Sequence, residues 1–260
     1  TQSVVIHSWG DVEAFARKSR NFCVSPVAFA GGDDDSLLGV MSALIESFEG
    51  TEAYEELVRQ VRNYKGSVND LVKEVTREGK AMHEALKRLC LWKREGLLNA
   101  EIMNLGKDDL MTFLDSQRNA VTILPLSEHR RIDSSIVQDY TTIPIYSNES
   151  FFYFPGMRAM NTRAVISPVV CGISFTKDPA MKSQLELLTR TEAQEDLSRR
   201  SGVAPLLANC RIPDIQADDV RFWIAATSKP LTPMGQAAFN SDGRKKEFCD
   251  AIRTIIKAFN

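Results

Sequence analysis

The chain has 260 residues, 43% of them hydrophobic and 25% charged, with a net charge of -2 at neutral pH. That is ordinary globular material, long enough for a sizeable core or two small domains, and it gives no global charge-based reason to expect nucleic acid. No apolar run approaches the length of a membrane span, and no signal peptide opens the sequence.

The five cysteines, Cys23, Cys90, Cys171, Cys210 and Cys249, are odd in number, widely spaced and without a CxxC pair. Reduced thiols in a reducing compartment fit this better than a disulfide framework or a zinc site, so a cytoplasmic location is expected.

In chain order, residues 1–50 read as the first part of an α/β domain. Val4–Ile6 forms a strand, Val12–Ser19 a helix with Asp11 as N-cap, and Cys23–Ala30 a second strand ending in Gly31–Gly32. Leu37, Leu38, Val40, Met41, Leu44, Ile45 and Phe48 then recur at helical spacing over Ser36–Phe48.

Residues 51–118 read as a helical hairpin or bundle inserted into that domain. Leu57, Val61, Tyr64, Val68, Leu71, Val75, Met82, Leu86 and Leu89 alternate at spacings of about four and three. Gly66–Ser67 suits the end of one helix and the cap of the next, and Gly79 suits an interruption.

Residues 119–260 read as the remainder of the domain. Strands are expected at Ala120–Leu126, Thr142–Tyr146, Phe151–Phe154, Ala164–Phe175, Val203–Ala208 and Val220–Ala226. Helices are expected at Met181–Arg199 and Arg244–Phe259. The alternation predicts an α/β fold with a mostly parallel open sheet flanked by helices. The strands crowded between 120 and 175 leave an α+β alternative, with an antiparallel sandwich in the C-terminal half.

Val4–Asp11 and the helix after it resemble the opening of a TIR (Toll/interleukin-1 receptor) domain. Val203–Ala208, Cys210, the Ile212–Pro213–Asp214 turn, Lys229–Pro230–Leu231 and the Glu247–Ala258 helix resemble its last strand, proline turn and closing helix. Ala120–Leu126 and Ala164–Phe175 would then be a middle and a later strand. The resemblance implies a noncatalytic signalling adaptor or a glycohydrolase acting on NAD, with NAD or ADP-ribose as ligand. Two departures stand against catalysis. Ile6 replaces a small polar residue, and Ser134–Tyr140 offers Gln138 and Asp139 where the enzymatic members carry a glutamate.

Ser8, Trp9 and Asp11 sit where a strand-to-helix loop leaves the carboxyl edge of a sheet, a place that suits a ribose or phosphate. Trp9 covering the core and Asp11 capping a helix is the plainer alternative. Asp33 and Asp34, behind two glycines and beside Asp35, suit a ligand-facing loop or a hard cation. A solvated turn in which Asp35 caps the next helix competes with that. His7, His83 and His129 complete no catalytic constellation, and HExxH, GxSxG, P-loop and GxGxxG motifs are absent.

Basic clusters at Arg88, Lys93–Arg94, Arg130–Arg131 and Lys245 carry the rival expectation. With Trp92 offering a stacking face, they suit an RNA-binding, self-assembling viral matrix, capsid or nucleoprotein. Solvated helix ends are the favoured explanation, given the near-neutral total charge.

Overall fold

The structure, a computed structural model, describes residues 9–116, 118–125, 128, 132, 164–166, 178–201, 210 and 229–259. Its first helix, α1, spans Trp9–Ser19, starting earlier than expected and holding Asp11 in its first turn instead of at the cap. The apolar run Cys23–Ala30 forms only the short strand β1, Val27–Ala28. Ser25 turns its hydroxyl onto the Val27 carbonyl at 2.6 Å, and Val27 N–H donates to Leu97 O at 2.8 Å. The chain then leaves the ladder at Phe29 for a turn through Gly31–Gly32.

That turn is tightly seated. A Cβ on Gly31 would stand 2.7 Å from Ile102 O, and one on Gly32 would stand 2.6 Å from Asn104 O. Both glycines are therefore needed for close backbone approach. Asp33 caps the next helix, its carboxylate accepting from Ser36 N–H at 2.8 Å. This helix, α2, runs over Asp34–Asn63 and is broken at Gly50, whose φ of 84° suits glycine alone.

Two further helices follow as the periodicity suggests, and a third comes after them. Ser67 caps α3 (Val68–Val75) by accepting from Asp70 N–H, and Gly79 at φ 80° separates it from α4 (Ala81–Arg94). A 3-10 turn at Ala100–Asn104 leads into α5, Lys107–Asp115. Strand β2, Val121–Thr122, pairs in parallel with β1, Val27 opposite Val121.

Later, β3 (Ala164–Ile166) pairs in parallel with β4 (Lys229–Leu231), Ala164 opposite Lys229. The single helix expected at Met181–Arg199 is two, α6 (Pro179–Leu187) and α7 (Thr191–Ser201). A short α8, Met234–Ala237, and a long α9, Asp242–Ala258, complete the described elements.

These residues do not show the expected open sheet. They are predominantly helical, and their strands form two parallel pairs, so neither a wide parallel sheet nor an antiparallel sandwich appears among them. Where the apolar runs taken for strands are described, the strand is two or three residues long and the rest lies outside helix and strand, such as the buried Phe29–Ala30. The strands expected at Val4–Ile6, Thr142–Tyr146, Phe151–Phe154, Val203–Ala208 and Val220–Ala226 lie outside the described residues, as do Ser134–Tyr140 and the Ile212–Pro213–Asp214 turn.

One buried cluster collects side chains from all along the chain, including Phe29, Leu44, Tyr54, Leu89, Trp92 and Phe248. The first limb of α2 crosses α4, α8 rests on α2, and α9 packs across α3 and α4. Ser42 ties α8 to α2 by accepting from Met234 N–H at 3.0 Å, and Tyr54 donates its hydroxyl to Thr232 O at 2.8 Å. None of the described helices is long and apolar enough to cross a membrane.

Burial raises the Tyr54 phenol to about 12, above its ordinary value of 10.0. The folded state therefore holds a proton there that the unfolded chain loses first. This stabilisation is complete below about pH 10 and is lost as pH rises to about 12, at roughly 1.4 kcal/mol per pH unit. Tyr54→Phe is expected to flatten this part of the stability–pH curve, measured by urea unfolding across that range.

Candidate functional site

The Gly31–Asp35 turn lies at the carboxyl end of β1, where parallel-strand proteins place ligands. Here its carboxylates are occupied by the fold. Burial alone would raise the Asp33 carboxyl, but hydrogen bonds from Ser36 and the Lys107 ammonium at 3.5 Å hold it below its ordinary value. Asp34 binds Arg253 at 2.6 Å, and Asp35 binds Lys245 at 3.1 Å.

Arg253 also donates to the carbonyls of Gly31 (2.8 Å) and Gly32 (3.0 Å) and to Asp250 (2.8 Å). Burial works against its charge, yet Asp34 and Asp250 keep the guanidinium above its ordinary value. The acidic turn is thus a clamp between β1, α2 and α9. No group of His, Cys, Asp or Glu side chains among the described residues is arranged to hold a metal ion.

Ser8 lies outside the described residues. Trp9 is 4% exposed, with its ring centroid 5.9 Å from that of Trp92 and 6.5 Å from that of Phe48. Phe48 is on the same helical limb as Asp34, about 21 Å along it at the helical rise. The structure therefore puts Trp9 and Asp11 near one end of that limb and Asp33 and Asp34 at the other.

The described basic residues expected to meet RNA are engaged within the fold. Arg88 pairs with Glu13 and lies over the Phe48 ring at 4.4 Å. Trp92 is 1% exposed, its indole N–H donating to Glu13 at 2.7 Å, so it offers no stacking face. Lys93 donates to the Lys257 and Phe259 carbonyls, and Arg94 sits 5.9 Å from the Phe259 ring. Lys245 is held by Asp35 and Asp242. Arg130 and Arg131 lie outside the described residues.

A cleft missed by the sequence reading lies between the end of α2 and the start of α9. It is a shallow, half-open space of about 200 Å³ lined by Arg62, Tyr64, Lys65, Ala238, Asn240 and Arg244. Arg62 Nε donates to Ala237 O at 2.7 Å. Arg244 donates to the carbonyls of Gly66 and Tyr64, each at 3.1 Å, which finishes the C-terminal end of α2. The basic run at Arg244 is visible in the sequence, but its convergence with Arg62 and Lys65 is created only by the packing of α9.

No protein-family model matches the chain, and no curated protein matches it. Solved structures do. The chain is similar to the binding protein MsmE of Bacillus subtilis subsp. subtilis in an open conformation, with TM-score 0.60 and 12% identity, over 98% of this chain and 61% of that one. It is also similar to a chitin oligosaccharide binding protein, with TM-score 0.59 and 14% identity, over 98% of this chain and 65% of that one. A third neighbour is a sugar transporter protein of Bacillus licheniformis in complex with stachyose, with TM-score 0.56 and 11% identity, over 97% and 65%.

The chain thus spans less than two thirds of each of these neighbours. They overturn the TIR resemblance, with the signalling and NAD activity it implied, and they give the viral RNA-binding alternative no support. What this chain shares with them is the fold.

Proposed function

We propose that this chain is part of an oligosaccharide-binding protein that presents its ligand to a sugar transporter. The observation that carries this reading is the likeness, over 98% of the chain, to a chitin oligosaccharide binding protein and, over 97%, to a sugar transporter protein holding stachyose. The local architecture supports it. A helix leaves the carboxyl end of β1 through the rigid Gly31–Asp33 turn, and another leaves β4 through Thr232–Pro233. The carboxyl ends of parallel strands are where such folds hold ligands. The partner implied is the membrane component of the transporter.

Thermal unfolding of the purified full-length protein, scanned against stachyose, raffinose, chitin oligosaccharides and maltose, tests the reading. Ligand at about a hundred times its Kd is expected to add roughly 2.7 kcal/mol of stability for the sugars that bind, and none for the rest. A folded protein whose midpoint moves with none of these sugars would overturn it.

A further inference from the structure

We infer that the cleft between the end of α2 and the start of α9 is a phosphate site, separate from sugar binding. Arg62, Lys65 and Arg244 bring three positive charges to a space of about 200 Å³. Among the described residues, no carboxylate lies within ion-pair distance of any of them. Their neighbours are different. Lys245 is held by Asp35 and Asp242, Arg253 by Asp34 and Asp250, and Lys107 by Asp33. Of these described cations, those of the cleft are therefore the ones without an acidic partner.

The two guanidinium groups are also positioned before any ligand arrives. Ala237 O holds Arg62 through Nε, leaving both of its terminal nitrogens as donors. Carbonyls of Tyr64 and Gly66 hold Arg244 through one N–H on each terminal nitrogen. Fixing the planes this way lowers the ordering cost of binding and favours an oxyanion that accepts several N–H bonds at once.

Lys65, exposed and without a described partner, adds a mobile point charge, and the Asn240 amide adds a neutral donor. Three cations match a dianion better than a single carboxylate, and the space fits a phosphate group with a small substituent. The chemistry is that of inorganic phosphate or of a phosphate monoester.

Phosphorus NMR and calorimetric titration of the full chain, with inorganic phosphate and with methyl phosphate against chloride at matched ionic strength, test this. Saturable binding of at least one probe is expected. Tighter methyl phosphate binding identifies an ester ligand, and equal or tighter inorganic phosphate binding identifies the free anion.

Lys65→Glu is expected to weaken binding about tenfold or more while leaving the thermal midpoint in place, because Lys65 makes no described contact that the fold uses. Arg62→Gln should weaken it as well. Absence of saturable binding, or an affinity unchanged in both variants, would overturn the assignment. Binding of uncharged oligosaccharides should be untouched by Lys65→Glu, so failure here is distinguishable from failure of the sugar-binding reading.

Discussion

Arg253→Met is expected to lower the unfolding free energy by about 3 kcal/mol or more, the scale for removing one partner of a buried ion pair. The side chain is only 10% exposed and serves four acceptors: the Gly31 and Gly32 carbonyls, Asp34 and Asp250. Methionine keeps much of the volume, so the loss reports the guanidinium and not a cavity. Afterwards Asp34, 23% exposed, keeps its charge with its cation gone, and two backbone carbonyls lose their donor.

Arg253→Lys restores charge without the fork and should recover only part of the loss. Urea unfolding, with the midpoint falling and the slope unchanged, is the measurement. A loss below about 1 kcal/mol would mean that the acidic turn holds itself together and that the clamp assigned to α9 is wrong.

Trp92→Ala is expected to cost roughly 3–5 kcal/mol, the range for emptying a large aromatic site in a core. Trp92 touches Trp9 and supplies a hydrogen bond to Glu13, itself only 8% exposed. Trp92→Phe separates the two contributions. It keeps most of the apolar contact and removes one donor from a buried carboxylate, for about 1–2 kcal/mol. If phenylalanine were as costly as alanine, the hydrogen bond and not the packing would dominate this corner of the core. Were Trp92 instead a surface stacking residue, both substitutions would leave stability nearly unchanged.

Local signals in the sequence were readable where one residue had one job. Ser67 after Gly66 caps α3, and the stripe from Leu57 to Leu89 lies on helices that feed the core. The aspartate run was harder because three adjacent carboxylates can each cap a helix. Asp33, not Asp35, does so, because Arg253 and Lys245, more than two hundred residues away in sequence, take the other two.

The same distance hid the roles of Arg88 and Trp92, whose shared partner Glu13 lies 75 and 79 residues earlier. Lys229–Pro230–Leu231 was not among the expected strands, because it is short, contains a proline and takes its strand character from Ala164–Ile166, far earlier in the sequence. A periodicity reports which face is buried. It does not report what the face meets, and both the strand lengths and the cationic cleft depend on that meeting.

The pairing of Val27 with Val121 also bears on how the chain reaches its fold. A ladder of two residues on each strand closes a segment of some ninety residues, within which α2 to α5 all form. Helices assemble from neighbours in microseconds, whereas a pairing this remote carries a loop-closure cost that its few hydrogen bonds alone do not offset. The helical body should therefore condense first and present Leu97 and the Gly31 turn as a template. The β1–β2 ladder would then form late, contributing to the unfolding rate more than to the refolding rate.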